Sequence, residues 1–294
     1  MKRNKILTIG LSLVLAAGLL VGCGSKTEQP ANNEQPNTQT EAPAGNNAPA
    51  EAGAYQDGIY FAQQEFNERT GWKYMVTIEV KDGKIVAADW NGAHKDAGKD
   101  KNTLSEAGEY VMVEGGTPWH KQAEVMENYL IEKQDPTDIK YLDDDGHVDV
   151  VSGVSIKVKD FFELAEAALA NGPVEKGKYT DGAYHAEDAE FAEKSGWKNT
   201  VDLTVVNGYI VAAKWNAVHK DGGDDKATQS INGQYVMTQD GMPWHEQAAI
   251  MEAHLLETQD PTAIELKDDG KTDAFAGVSM GVADFFRLAE EALK

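Results

Sequence analysis

Among its 294 residues the chain has one cysteine, Cys23, so no intramolecular disulfide can form. Basic side chains are also scarce. Lys and Arg number 27 against 49 Asp and Glu, a formal charge of −22. That balance argues against a nucleic-acid partner and against adhesion to anionic lipid by charge alone. The apolar run Ile6 to Val21 is too short for a comfortable membrane span. From Gly24 to Gly53 aliphatic side chains are nearly missing, and Pro, Asn, Gln, Ala and Glu dominate. Such a stretch cannot bury enough surface to fold, and it predicts a disordered tether.

What is present begins with an export signal over residues 1–22. Lys2, Arg3 and Lys5 precede the apolar run Ile6 to Val21. The run ends at Leu20-Val21-Gly22-Cys23, which resembles the lipobox of bacterial lipoproteins. That resemblance implies cleavage before Cys23, a diacylglycerol on its thiol and a place on the outer face of the cell membrane. An uncleaved anchor helix is the alternative reading of the same run. Residues 23–54 are then the lipidated cysteine and its linker.

The rest of the chain is duplicated. Residues 55–170 and 179–294 match at an offset of 124 or 125, with 171–178 as the linker between two domains. Gly71-Trp72-Lys73 returns as Gly196-Trp197-Lys198, and Pro118-Trp119-His120 as Pro243-Trp244-His245. A period this long exceeds that of solenoid repeats, so each copy is read as a domain.

Within a copy the pattern predicts an α+β fold, a small antiparallel-rich sheet packed with helices. Tyr74 to Val80 and Ile85 to Trp90 form a hairpin about Asp82-Gly83; Val201 to Val205 and Ile210 to Trp215 repeat it about Asn207-Gly208. Pro118 opens a helix to about Lys133, with Trp119, Ala123, Met126 and Leu130 on one stripe. A short strand is expected near Asp138 to Leu142. A last helix to Ala170 should bury Val158, Phe161, Phe162, Ala165, Ala168 and Leu169.

Just before that helix runs Asp149-Val150-Val151-Ser152-Gly153-Val154-Ser155, which returns as Asp273-Ala274-Phe275-Ala276-Gly277-Val278-Ser279. A glycine-kinked turn ending in a hydroxyl at a helix start reads as an N-cap. The same free N–H groups and helix dipole favour a phosphate there. The segment resembles the attachment motif of the FMN-binding domain family: an acidic residue or Asn, two variable residues, then Ser-Gly-Ala-Thr. Asp149, Ser152 and Gly153 match, Val154 replaces Ala, and Ser155 takes the place of the acceptor Thr. In the second copy Asp273 and Gly277 match, Ala276 replaces Ser, Val278 replaces Ala, and Ser279 is the acceptor.

The resemblance implies two FMN groups, each joined by a phosphoester to Ser155 or Ser279 by a separate flavin transferase. With the lipobox and tether, the chain is similar to flavinylated surface lipoproteins of Gram-positive extracellular electron transfer. Those relay electrons from a quinone-linked donor in the membrane to extracellular acceptors such as ferric iron, and they are not enzymes. A rival reading is a surface lipoprotein or antigen that binds a ligand or partner without covalent flavin. Trp119, His120, Trp244 and His245 could contact an isoalloxazine, or the tryptophans could simply anchor the core. His94 and His219, at the ends of hairpin strands, are further candidates. Tyr110 and Tyr235 are expected to pack. Asp143-Asp144-Asp145-Gly146 reads as an acidic turn, and no metal ligand set is legible.

Overall fold

A computed structural model describes residues 55–294, together with Ile6 and Leu7. The remainder of the expected signal at 1–22, Cys23 and the tether to 54 lie outside the described residues. Ile6–Leu7 form a two-residue strand, β1, paired antiparallel with Gln63 and Gln64. Each copy then follows one plan of three antiparallel strands and three helices. The first has β2 (Gly58–Gln64), β3 (Trp72–Lys81), β4 (Lys84–His94), α1 (Lys101–Glu106), α2 (Trp119–Lys133) and α3 (Lys159–Asn171). The second has β5 (Gly182–Glu187), β6 (Trp197–Val206), β7 (Tyr209–His219), α4 (Lys226–Ile231), α5 (Trp244–Thr258) and α6 (Ala283–Ala292). The α+β expectation holds in both copies.

The hairpins form where two-residue Asp-Gly and Asn-Gly turns allow them. Asp82 and Gly83 sit at φ 52° and 71°, Asn207 and Gly208 at 52° and 74°, the left-handed pair that matches strand twist. An upstream carboxylate staples each turn: Gly83 N donates to Asp57 Oδ1 at 2.8 Å, and Gly208 N to Asp181 Oδ1 at 2.7 Å. α2 ends on a residue forced left-handed, Gln134 at φ 62°. Its amide then acts as a substitute strand, accepting from Ile85 N and donating to Ile85 O, both at 2.8 Å. Gln259 and Ile210 repeat this contact.

The expected stripe of α2 is buried: Trp119, Ala123, Met126 and Leu130 are all at or below 2% exposure. They meet Trp90, Val76 and Ile78 of the sheet and Phe161, Phe162 and Leu164 of α3. Two expectations fail here. Leu169 is only half-buried, and Leu164 fills the core instead. Asp138 to Leu142 forms no strand. Its backbone bonds locally, Asp138 N to Asp135 O and Ile139 N to Thr137 O, so it is not available to a sheet edge.

The opposite face of each sheet is apolar too, and there the copies meet. Phe61, Met75 and Ala93 pack against Val206, Val211 and Ala212, with Phe61 stacked on Tyr209 at 5.5 Å. Thr204 Oγ1 donates to Gly98 O across the seam at 2.8 Å. The linker is structured as well. Val174 N donates to Ile59 O, while Gly177 N and Tyr179 N donate to Asn207 and Gly208 carbonyls. A Cβ on Gly177 would collide with the Gly208 carbonyl, which explains glycine at both positions. The copies are therefore two lobes of one compact unit rather than beads on a string.

Met75 is fully buried in that seam. Met75→Ala should cost about 2–5 kcal/mol and split one cooperative denaturant transition into two. Urea unfolding followed by tryptophan fluorescence checks both outcomes.

Candidate functional site

The motif lies in a loop between Gly146 and α3, and the structure corrects how it meets a helix. α3 starts at Lys159 with Val158 as its cap, and α6 at Ala283 with Val282 as its cap; neither cap makes a side-chain hydrogen bond. Ser155 and Ser279 thus precede their helices by four residues and are not N-caps. The reason is local. Val158 N is drawn back to Gly146 O at 2.9 Å and Val282 N to Gly270 O at 2.8 Å, which fixes the helix start at that crossing.

What holds the serines is a glutamine from the preceding long helix. Gln122 is 2% exposed, and its Oε1 accepts from Ser155 N at 2.6 Å, Ile156 N at 3.1 Å and Ser155 Oγ at 3.2 Å. Its Nε2 donates to Thr117 O at 2.9 Å, so every polar atom of the amide is used. Gln247 does the same in the second copy. Its Oε1 accepts from Ser279 N at 2.8 Å and Met280 N at 3.2 Å, and its Nε2 donates to Met242 O at 2.7 Å. The clamp presents both serines to solvent, where each is exposed. It was missed in the sequence, although Gln122 and Gln247 recur at the same offset as a polar break in an apolar stripe.

At the glycines that precede the serines the two copies differ. Gly153 is at φ 86° with nothing within 4 Å of where a Cβ would stand. Gly277 is at φ 85°, but Met242 Cε reaches within 2.7 Å of that point. Ser152, Asp149 and Asp273 are exposed, Asp273 paired with Lys267; Val154 is half-buried and Val278 buried. The acidic turn is braced by His147, whose Nδ1 lies 2.7 Å from Asp143 Oδ2. Hydrogen bonds from the His147 backbone and ring hold the Asp143 carboxyl below its usual range.

The other expected site residues split into two groups. Trp119 and Trp244 are each 2% exposed and serve the core, Trp119 against Trp90 at 5.2 Å and Trp244 against Trp215 at 5.4 Å. Neither leaves a face for an external ring. His120 and His245 are tied by Nδ1 to Ser105 Oγ at 2.8 Å and Ser230 Oγ at 2.9 Å. His94 and His219 lie edge-on to Trp72 at 5.2 Å and Trp197 at 4.9 Å, beside Asp96 and Asp221. Tyr110 and Tyr235 pack edge-on against those same tryptophans, as expected. A cleft of about 520 Å³ lies at His94, Trp72 and Tyr110, and a smaller cavity of about 220 Å³ at Gln64, Arg69 and Asp160. Neither is lined by Ser155 or Gly153.

Charge beneath the hairpin also separates the copies. Glu127 Oε1 accepts from Trp90 N, and Glu252 Oε1 from Trp215 N, both at 2.8 Å. Beside Glu127 stands Asp89, whereas beside Glu252 stands Lys214, with Nζ 3.8 Å from the carboxylate. Burial, and then its acidic neighbours, push Glu127 up to about 8. Burial, with Asp100 and Asp181 nearby, pushes Asp89 to about 6.

Comparison with protein families and with curated proteins finds no match. Two solved structures are similar to parts of the chain. One is the solution NMR structure of a Clostridium thermocellum protein, 56% identical over 40% of this chain and 91% of that one, at TM-score 0.33. The other is the crystal structure of a Clostridium perfringens protein, 21% identical over 39% of this chain and 86% of that one, at TM-score 0.29.

Two predictions follow from this geometry. Gln122→Ala removes the acceptor shared by Ser155 and Ile156; amide exchange at those two residues should rise at least about tenfold, at a stability cost of about 1–3 kcal/mol. Unchanged exchange by NMR would show the clamp to be idle. The raised carboxyl groups favour the fold fully below their unfolded values, and that contribution is lost as pH rises through about 6 and 8. The melting temperature should therefore fall between pH 5 and 8, and Asp89→Lys, which copies the second lobe, should flatten the fall.

Proposed function

We propose that the chain is a lipid-anchored carrier of two covalent FMN groups, one on Ser155 and one on Ser279. The observation that carries the reading is the repeated clamp. In both lobes an exposed serine is held at one place by a buried glutamine, and in the first lobe Gly153 leaves open space beside it. An exposed hydroxyl suits attack by an external enzyme. A flavin transferase would join Ser Oγ to the flavin-side phosphorus of FAD, break the phosphoanhydride, release AMP and pass the hydroxyl proton to solvent. Once the ester forms, Gln122 loses the Ser155 O–H but keeps the N–H groups of Ser155 and Ile156, so the loop stays in place.

The cradle residues fit a phosphate only at its attachment point. Asp149, Ser152, Gly153 and Val154 in one lobe, and Asp273, Gly277 and Val278 in the other, form the turn that presents the ester. Met242 lies against Gly277, whereas nothing lies beside Gly153, so loading at Ser155 is expected to exceed loading at Ser279. The isoalloxazine would supply reversible electron transfer; the chain supplies its attachment point. The protein is then not itself an enzyme but a relay, from a quinone-linked membrane donor to extracellular acceptors such as ferric iron. Ester attachment matters outside a cell, where a dissociated cofactor would be diluted away.

Intact mass of protein isolated from its own host tests this directly. The expected result is one or two FMN-sized increments on the lipidated chain, with Ser155→Ala removing the major one and Ser279→Ala the minor one. A bare chain from the producing organism would overturn the proposal.

A further inference from the structure

A costly residue in the fold is Lys101. It is 1% exposed, and its ammonium lies 4.4 Å from the ring centres of both Trp72 and Tyr110, 4.8 Å from Tyr74 and 5.2 Å from Trp119. Its side chain donates to Tyr74 Oη at 3.0 Å, and among the described residues it forms no ion pair with a carboxylate. Burial alone pushes it down to about 8. Lys226 repeats the arrangement under Trp197, Tyr235 and Trp244, at 5.5, 4.8 and 5.1 Å. Burial likewise pushes Lys226 to about 8. A buried charge without an ionic partner costs stability that an apolar side chain of similar length would not. Cation–π contact recovers part of that cost. A fold that keeps the same costly cation twice, in the same ring cage, is using its charge.

The cage opens on one side. Trp72 and Tyr110, which touch the ammonium, also line the cleft of about 520 Å³, with Leu104, His94 and Ala97. At its rim Lys99 and Glu109 neutralise each other at 2.6 Å. The cleft is thus largely aromatic and apolar in lining, carries the Lys99–Glu109 pair and the His94–Asp96 contact at its rim, and is backed by a cation one ring away. We propose that this cleft binds a planar aromatic ring bearing negative charge, seated on Trp72 and Tyr110 and attracted by the ammonium of Lys101. Aromatic side chains favour the flat ring by stacking, and the buried cation selects its anionic form over a neutral one. Two sources share this chemistry: a reduced isoalloxazine tethered to the same chain, and a free anionic quinol or aromatic acid.

The test uses the full chain carrying Ser155→Ala and Ser279→Ala, which holds no ester-linked flavin whatever the outcome for FMN. It is titrated with 1,4-naphthoquinone-2-sulfonate and, separately, with uncharged 1,4-naphthoquinone, following tryptophan quenching and calorimetry. The sulfonate should bind saturably and more tightly than the neutral ring. Lys101→Met should weaken the sulfonate about tenfold or more, as expected for unit charges about 8 Å apart at an effective dielectric of ~20, and should change neutral-ring binding less than twofold. The methionine variant should also melt no lower than its parent. Should it fail to fold, Tyr110→Ala, in the loop between α1 and α2, should abolish binding of both rings. Absence of saturable binding, equal affinity for the two probes, or an unaltered sulfonate affinity in Lys101→Met would overturn the proposal. Host-made flavinylated chain separates the sources. Exclusion of the probe there assigns the cleft to the tethered ring, and equal binding assigns it to a free molecule.

Discussion

A three-stranded sheet with two apolar faces cannot stand alone in water, and this molecule is organised by covering both. Helices α2 and α3 cover one face of the first sheet, and the second lobe covers the other. The same holds for the second lobe, where α5 and α6 cover the face turned away from the seam. Burying Phe61, Met75 and Ala93 against Val206, Val211 and Ala212 removes apolar surface that would otherwise expose an aggregation-prone patch. The linker joins in, because its backbone completes hydrogen bonds to a strand of one lobe and a turn of the other.

That packing fixes where the motif loop sits. α2 is held to the sheet by Trp119, Ala123, Met126 and Leu130, so Gln122 on the same side is buried with them. A buried amide must find partners for all its polar atoms, and it finds them in the Thr117 carbonyl and the backbone of the motif loop. The loop is thus positioned by satisfaction of a core amide rather than by a helix terminus. The serine hydroxyls end up outside, because the backbone beside them is what the amide requires.

Duplication preserved the frame and relaxed the details. Asp89 beside Glu127 became Lys214 beside Glu252, turning a repelling pair into an attracting one without moving the strand. Open space at Gly153 became a methionine contact at Gly277. Lys101 and Lys226 keep the same cage, but Lys101 is more deeply buried and touches one more ring. Two lobes built alike therefore place their motif loops and buried charges in unlike surroundings.

Much of the frame was legible from local pattern. The duplication, both hairpins with their Asp-Gly and Asn-Gly turns, and the α2 stripe depend on neighbours close in the chain, so spacing and turn chemistry suffice. The strand expected at Asp138 to Leu142 did not form, since Asp135 and Thr137 capture that backbone locally. The start of α3 was misplaced for a related reason: Gly146, twelve residues before Val158, decides it through a single hydrogen bond. Residue order by itself determined that the chain is a repeated α+β unit with a serine near the end of each copy. Only the tertiary structure decided that a glutamine more than thirty residues earlier holds each serine, that the tryptophans are core, and that a lysine lies buried among rings. Those depend on contacts between segments distant in sequence, which no local periodicity records.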